Sequence, residues 1–178
     1  LKDAGLIFAV PRVKVPRLPM SSYWEGGISK VFMLDVGLLG AVCEIDARTL
    51  LEGNDIFIEF KGALTEQFVQ QELRASCGLN PCYWASEEKN AKAEIDFLCS
   101  VKGDIVPIEV KGGLNTQAKS LLVYCQRFQP KYAVRTSLRP YSAAEILFKT
   151  PQFNHECCML TELPLFAVSL LPHVVLNS

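Results

Sequence analysis

The chain has 178 residues, enough for one domain or one domain plus an appendage. Hydrophobic types make up 49% and charged types 21%, which permits a packed core and excludes wholesale disorder. With 18 basic residues against 19 acidic ones, the net charge of -1 excludes a globally basic nucleic-acid coat.

The most apolar stretch, residues 163–176, is interrupted by Pro164, Pro172 and His173. It is too short and too broken to span a bilayer, so no membrane role is expected. No basic segment precedes an apolar run near the start, so no signal peptide is visible. The chain begins at Leu1 rather than Met, and we expect a longer protein to precede it. Seven cysteines, at 43, 77, 82, 99, 125, 157 and 158, form no C-x2-C pair. Without close pairs a structural zinc site is not expected. Reduced thiols of a cytoplasmic protein are, with Cys99 as a small core residue.

The charge is segregated: residues 1–31 carry +3, 32–73 carry -6, 74–140 carry +4 and 141–178 carry -2. Local basic stretches could meet phosphate, although a solvated mixed surface gives the same pattern.

In chain order, Leu1 to Ile7 reads as a helix end, with Gly5 in a left-handed cap. Phe8 to Val15 alternates as a strand that Pro11 and Pro16 confine to an edge. Arg12, Lys14 and Arg17 make this arm basic. Val31 to Leu34 reads as a short buried strand. Asp35 caps a helical turn over Val36 to Val42, and Glu52 to Asn54 is a turn. Gly62 to Cys77 is the strongest helix, with an apolar stripe of Leu64, Phe68, Val69 and Leu73, and Gly78 ends it. Pro81 to Ala85 starts a strand. Glu94 to Val101 and Ile105 to Lys111 form a hairpin turning at Lys102-Gly103, and Gly112-Gly113 closes the second strand. Thr116 to Phe128 is a second amphipathic helix, and Lys131 to Thr136 a further strand. A Pro-broken tail ends in an apolar segment, 163–171. The order α-β-β-β-α-β predicts an α/β domain.

The chemistry concentrates in Glu94-Ile95-Asp96-Phe97 and Ile108-Glu109-Val110-Lys111. Alternation puts Glu94 and Asp96 on one strand face and Ile95 and Phe97 on the other, and likewise separates Glu109 and Lys111 from Ile108 and Val110. A two-residue turn flanked by Val101 and Asp104 sets Asp96 opposite Glu109. A slip of one residue would set it opposite Val110. Adjacent carboxylates repel unless they are exposed or share a cation. Two of them with a backbone carbonyl make an oxygen-rich site suited to Mg²⁺ or Mn²⁺. Such an ion activates water and neutralises a phosphodiester, and Lys111 beside it could stabilise developing charge. Glu66, at i relative to Val69 and Leu73, borders the apolar stripe and is a third candidate ligand. Charges alternating by chance on a solvated strand face give the same short pattern.

The run Gly62 to Val69, then Glu94-Ile95-Asp96-Phe97, then Pro107-Ile108-Glu109-Val110-Lys111 resembles the PD-(D/E)XK nuclease-like superfamily. Together with Lys30 to Leu39 and Leu163-Pro164-Leu165-Phe166, it looks like the C-terminal domain of unknown function of bacterial and archaeal AAA-type ATPases. The resemblance implies a restriction endonuclease-like core, a mixed sheet flanked by helices, over residues 32–178. Residues 1–31 would be the end of a winged helix and a basic linker. It implies Glu66, Asp96 and Glu109 as metal ligands, with Lys111 completing the catalytic set, and Mg²⁺ or Mn²⁺ as cofactor. ATP would bind the preceding ATPase domain, because this chain holds no G-x-x-x-x-G-K-[ST].

Three functions remain open at this point. One is metal-dependent hydrolysis of DNA. Another is a catalytically silent module binding DNA or protein, and the third a homo-oligomerisation module using the apolar tail. Lys119, Arg127, Lys131, Arg135 and Arg139 could contact phosphate, with a solvated face as the plainer account. Trp24 and Trp84 read as packing residues rather than base-stacking platforms.

Overall fold

The computed structural model describes residues 1–45, 55–87, 93–114, 119–150 and 156–175, with backbone alone at 55–59. The turn expected at Glu52 to Asn54 lies outside these residues. Gly5 adopts φ +70° in a turn closed by bonds from Leu6 N–H to the Leu1 carbonyl and from Gly5 N–H to the Lys2 carbonyl, with no helix before β1 among the described residues. Strands β1 (Ile7–Val13) and β2 (Trp24–Met33) follow, then helix α1 (Val36–Val42) and the long helix α2 (Asp55–Ala75). Next come β3 (Cys82–Ala85), β4 (Glu94–Val101), β5 (Asp104–Val110), α3 (Lys119–Phe128) and β6 (Tyr132–Ser137). β7 (Ser142–Phe148), β8 (Glu156–Pro164), a 3-10 turn over Leu165–Leu170 and α4 (Leu171–Val174) complete the chain.

The strands form one mixed eight-stranded sheet in the order β2-β1-β3-β4-β5-β6-β8-β7. Within it, α2-β3-β4-β5-α3-β6 follows the predicted order. β3, β4 and β5 run antiparallel, and β6 lies parallel to β5. Each sheet face packs its own core. Val69 and Leu73 of α2 lie with Phe97, Ile108, Val110, Val134 and Leu163. Leu121, Tyr124 and Cys125 of α3 lie with Trp84, Ile95, Leu98 and Ala133. Burying each large apolar side chain contributes roughly 1.5–3 kcal/mol. Trp84 is in edge contact with Tyr124 and Phe128, whose ring centroids each lie 5.4 Å away. Cys99 is fully buried, as predicted. Among the described residues, no helix is long and apolar enough to cross a membrane.

The Lys102-Gly103 turn forms as predicted, with φ +46° and +91°, the pair of positive values a tight hairpin turn needs. Asp35 caps α1 by accepting from Leu38 N–H at 2.7 Å, and Gly78, at φ +66°, follows α2. Three expectations need correction. β1 is not an edge strand: it lies between β2 and β3, with its ladder pairing to β3 at Arg12 opposite Tyr83. Pro11 is accommodated because the β1–β2 register breaks between Pro11 and Val13. Of the short buried strand expected at Val31 to Leu34, residues 31–33 end the ten-residue edge strand β2 and Leu34 lies beyond it, with Val31 and Leu34 exposed. α2 begins seven residues before Gly62, so that glycine lies inside the helix.

The apolar tail folds onto its own chain. Val168, Leu171 and Val175 join the α2 core, while Phe166 and Leu170 stay exposed. Trp24 is half exposed, with its indole N–H on the Cys82 sulfur at 3.1 Å.

Two contacts fix α2 over the sheet. Gly112 sits so close that a Cβ there would lie 3.1 Å from the Thr65 hydroxyl and 3.3 Å from Lys61 Cγ. Gln67, 1% exposed, accepts from Met33 N–H and donates to the Met33 carbonyl, both at 2.9 Å. Its amide thereby satisfies both main-chain groups of an edge residue. Gln67→Ala removes both bonds and should cost about 2 kcal/mol in urea unfolding. Faster amide exchange at Met33 than at β4 residues would be its local signature, and unchanged stability would contradict this role.

Candidate functional site

The β4–β5 ladder runs in the predicted register from Val101 opposite Asp104 to Phe97 opposite Ile108. Beyond that pair the strands depart from simple alternation. Against β3, Cys82 faces Leu98 but Trp84 faces Ile95, so β4 carries one extra residue between them. Ile95 therefore packs with α3 while Phe97 packs with α2, although plain alternation put both on one face. The extra residue frees Asp96, whose carboxylate accepts from Val110 N–H at 2.8 Å in place of a ladder carbonyl.

Glu109 is 4% exposed and pairs through Oε1 with Lys111 Nζ at 2.7 Å. Its other oxygen, Oε2, is buried and has no hydrogen-bond partner. Ile108 and Val110 face α2, so Glu109 and Lys111 lean to the opposite side. Glu66, one turn before Gln70 on α2, approaches from the α2 side. The three predicted acids therefore do not share one flat face. Both glutamates still lie near enough to Asp96 for their charge to act on it. Its carboxyl is pushed up to about 7 by burial first, then by the charges of Glu66 and Glu109. The Val110 N–H and Lys30 offset this in part.

Lys30 and Glu94 belong to the cluster although sequence reasoning did not place them in the site. Lys30 Nζ lies 3.4 Å from Glu66 and 3.8 Å from Asp96, and it also bonds Glu94. It stands 5.3 Å from the centre of the Tyr83 ring. Burial tends to lower the Lys30 pKa, but Glu94, Glu66 and Asp96 together hold it above the ordinary lysine value. A signal for Glu94 was present, since it shares the Asp96 face by alternation. Lys30 had none, being 64 residues upstream on a strand whose pairing partners are not evident from pattern.

Four of the five remaining basic candidates are engaged elsewhere. Arg135 is not on a solvated face: it pairs with buried Glu162 at 2.7 Å, and Ser137 donates to the same carboxylate at 2.6 Å. Lys131 pairs with Asp104 at 3.2 Å, Arg139 donates to the Leu114 carbonyl, and Arg127 lies over the rings of Trp84 and Phe128. Lys119 is exposed at the start of α3.

Among the described residues, no group of three His, Cys, Asp or Glu side chains is gathered closely enough to hold a metal ion. The donors nonetheless suit a hard divalent cation in kind: all are carboxylate oxygens, and one buried oxygen is orphaned. The charge balance points the same way. Glu66, Glu94, Asp96 and Glu109 face Lys30 and Lys111, which leaves a formal deficit of two positive charges when every acid is ionised.

These features define a mixed α/β domain with an acid–lysine cluster at the open end of a β-hairpin. The family model of a domain of unknown function, DUF4143, matches residues 61–153, and the chain belongs to this family. That span holds Glu66, Glu94, Asp96, Glu109 and Lys111 but not Lys30. No curated protein matches the chain.

Asp96 gives this site a pH signature. Its folded-state pKa of about 7 stands above the ordinary 3.8. Across that window the folded chain keeps a proton the unfolded chain has lost, so stability falls as pH rises. Asp96→Asn should be about 2–4 kcal/mol more stable than wild type at pH 8, and the two should converge near pH 4. Chemical denaturation at stepped pH checks this; parallel curves for the two proteins would contradict it.

Proposed function

We propose that this chain is a PD-(D/E)XK nuclease-like domain of an AAA-type ATPase, acting in the cytoplasm on phosphodiester bonds of DNA. The observation that supports this reading is Asp96 held at the β4 bulge by the Val110 N–H at 2.8 Å, with Glu109 and Lys111 paired at 2.7 Å on the neighbouring strand. The order α2-β3-β4-β5-α3-β6, with β6 parallel to β5, supports a restriction endonuclease-like core around them. The link to an ATPase rests on the resemblance of the sequence motifs.

In this reading Glu66, Asp96 and Glu109 supply carboxylate oxygens to Mg²⁺ or Mn²⁺. The ion, when bound, would acidify a water and offset phosphate charge. Asp96 has its direction set by Val110 N–H, so the hairpin backbone holds this ligand in place. Glu109 would offer its orphaned Oε2 while Oε1 stays with Lys111. The Lys111 ammonium, partly exposed beside Glu109, would orient the attacking water or stabilise charge on the phosphate.

Supercoiled and branched DNA incubated with Mn²⁺ should be cut by the wild type, and at least ~100-fold more slowly by Asp96→Ala. No cleavage, or equal cleavage by the variant, would overturn the catalytic reading. Because ionised Asp96 is the ligand form, Mn²⁺ affinity measured by calorimetry should rise steeply from pH 6 to pH 8. An affinity flat across that range would count against Asp96 as a ligand.

A second reading has its own observation. Lys30 pairs with Glu66, Glu94 and Asp96, an arrangement that suits a silent DNA-binding module of the same ATPase. Metal-independent DNA binding that weakens with added salt, with no cleavage, would favour it.

A further inference from the structure

We propose that β7 is a self-association surface: two copies of the chain pair antiparallel along this strand, about a two-fold axis at Ala144, and join their sheets into one. Among the described residues β7 is the last strand of the sheet. It pairs on one side only, with β8, from Ser142 opposite Glu162 to Phe148 opposite Glu156. Its outer side therefore presents main-chain N–H and C=O groups, which another extended strand satisfies. The usual guards of a sheet edge are missing. The seven residues of β7 hold no proline, glycine or lysine, Glu145 is their one charge, and the ladder to β8 runs without a register break. The edge strand at the other rim, β2, contains Glu25, Gly26, Gly27 and Lys30, and its ladder is broken.

The side chains select the occupant. By alternation Tyr141, Ala143, Glu145 and Leu147 share one face. All four are exposed, Tyr141 at 52% and Leu147 at 68%. On the other face, Phe148 belongs to the α3 core and Ile146 packs against it, which ties the strand to its own domain. Centred on Ala144, a second copy sets Tyr141 opposite Leu147 at both ends of the strand and Ala143 opposite Glu145 between them. The large apolar groups of this face are then covered in pairs, and the two Glu145 carboxylates are staggered. Centring the pair on Glu145 would set those carboxylates directly opposite each other. Centring it on Ile146 would carry Ser142 past the end of the partner strand. A foreign peptide fits the same backbone groups, whereas the copy is matched to the side chains as well.

A two-fold pairing uses β7 of both copies and leaves neither open, so assembly stops at two chains. The contact is small, and its dissociation constant should fall in the range of roughly 1–100 µM.

The test is analytical ultracentrifugation of the full chain from about 10 µM to about 1 mM. A reducing agent excludes links through the exposed Cys157. The wild type should show a monomer–dimer equilibrium. Leu147→Lys, which breaks both apolar pairs, should weaken it at least ~10-fold. Ala143→Glu sets like charges across the axis and Ala143→Lys sets opposite ones, so the lysine variant should dimerise at least ~10-fold more tightly than the glutamate variant. Both positions are exposed, and circular dichroism checks that each variant keeps the fold. A wild type that stays monomeric up to about 1 mM overturns the proposal. So does a dimer of equal strength in the two Ala143 variants, or growth beyond two chains.

Discussion

The candidate site depends on one substitution of hydrogen-bond partners. Where β4 should offer β5 a main-chain carbonyl, the bulge turns the ladder out of step and the Asp96 carboxylate takes the Val110 N–H instead. A buried N–H must be satisfied by something, so the acid is held in place by the sheet itself. The bulge splits Ile95 from Phe97 between two cores, and burial with the charges of Glu66 and Glu109 raises the Asp96 pKa against the opposing pull of the Val110 N–H. The local loss of regular pairing is outweighed by the apolar burial on both sides of it.

Electrostatics then set the terms. Four carboxylates crowd the end of the hairpin, and two lysines from different strands divide them. Lys111 serves Glu109, and Lys30 serves the other three. The lysines are not equivalent. Lys111 travels with Glu109 on the same strand, two residues away, so their pairing is local. Lys30 comes from an edge strand paired along β1, which in turn joins β3 by ladder pairing at one position, Arg12 opposite Tyr83. Gripping contacts are also made by α2, through Gln67 to Met33 and through Gln71 to Val36 N–H. The helix that carries Glu66 is thus the helix that positions the strand carrying its counter-charge.

Much of this was legible in the residues. The Lys102-Gly103 turn fixed the hairpin register because few dipeptides accept two positive φ values, but the ladder stops at Phe97 opposite Ile108, short of the expected pairing of Asp96 with Glu109. Asp35 and Gly78 marked helix ends, and Gly5 a turn, for equally local reasons. What could not be read was non-local. Pro11 argued for an edge, yet β2, not β1, holds the edge, because pairing across a bulge tolerates a missing N–H. β7, whose Ser-Ala-Ala-Glu start has the composition of a helix, is a strand through its pairing with β8. The bulge itself leaves no trace in a pattern that alternates cleanly from Glu94 to Phe97. For the same reason Lys30 escaped notice: its role is conferred entirely by tertiary pairing.

The Gln67 amide has a consequence outside the site. The rim of a sheet is normally a row of unmet donors and acceptors, open to any extended peptide that comes by. At Met33 both groups are already taken by a side chain that imitates a neighbouring strand. A foreign chain could not zip along β2 past this residue without first evicting the glutamine from a fully enclosed seat. One helix residue thus protects the molecule against edge-to-edge polymerisation at this rim.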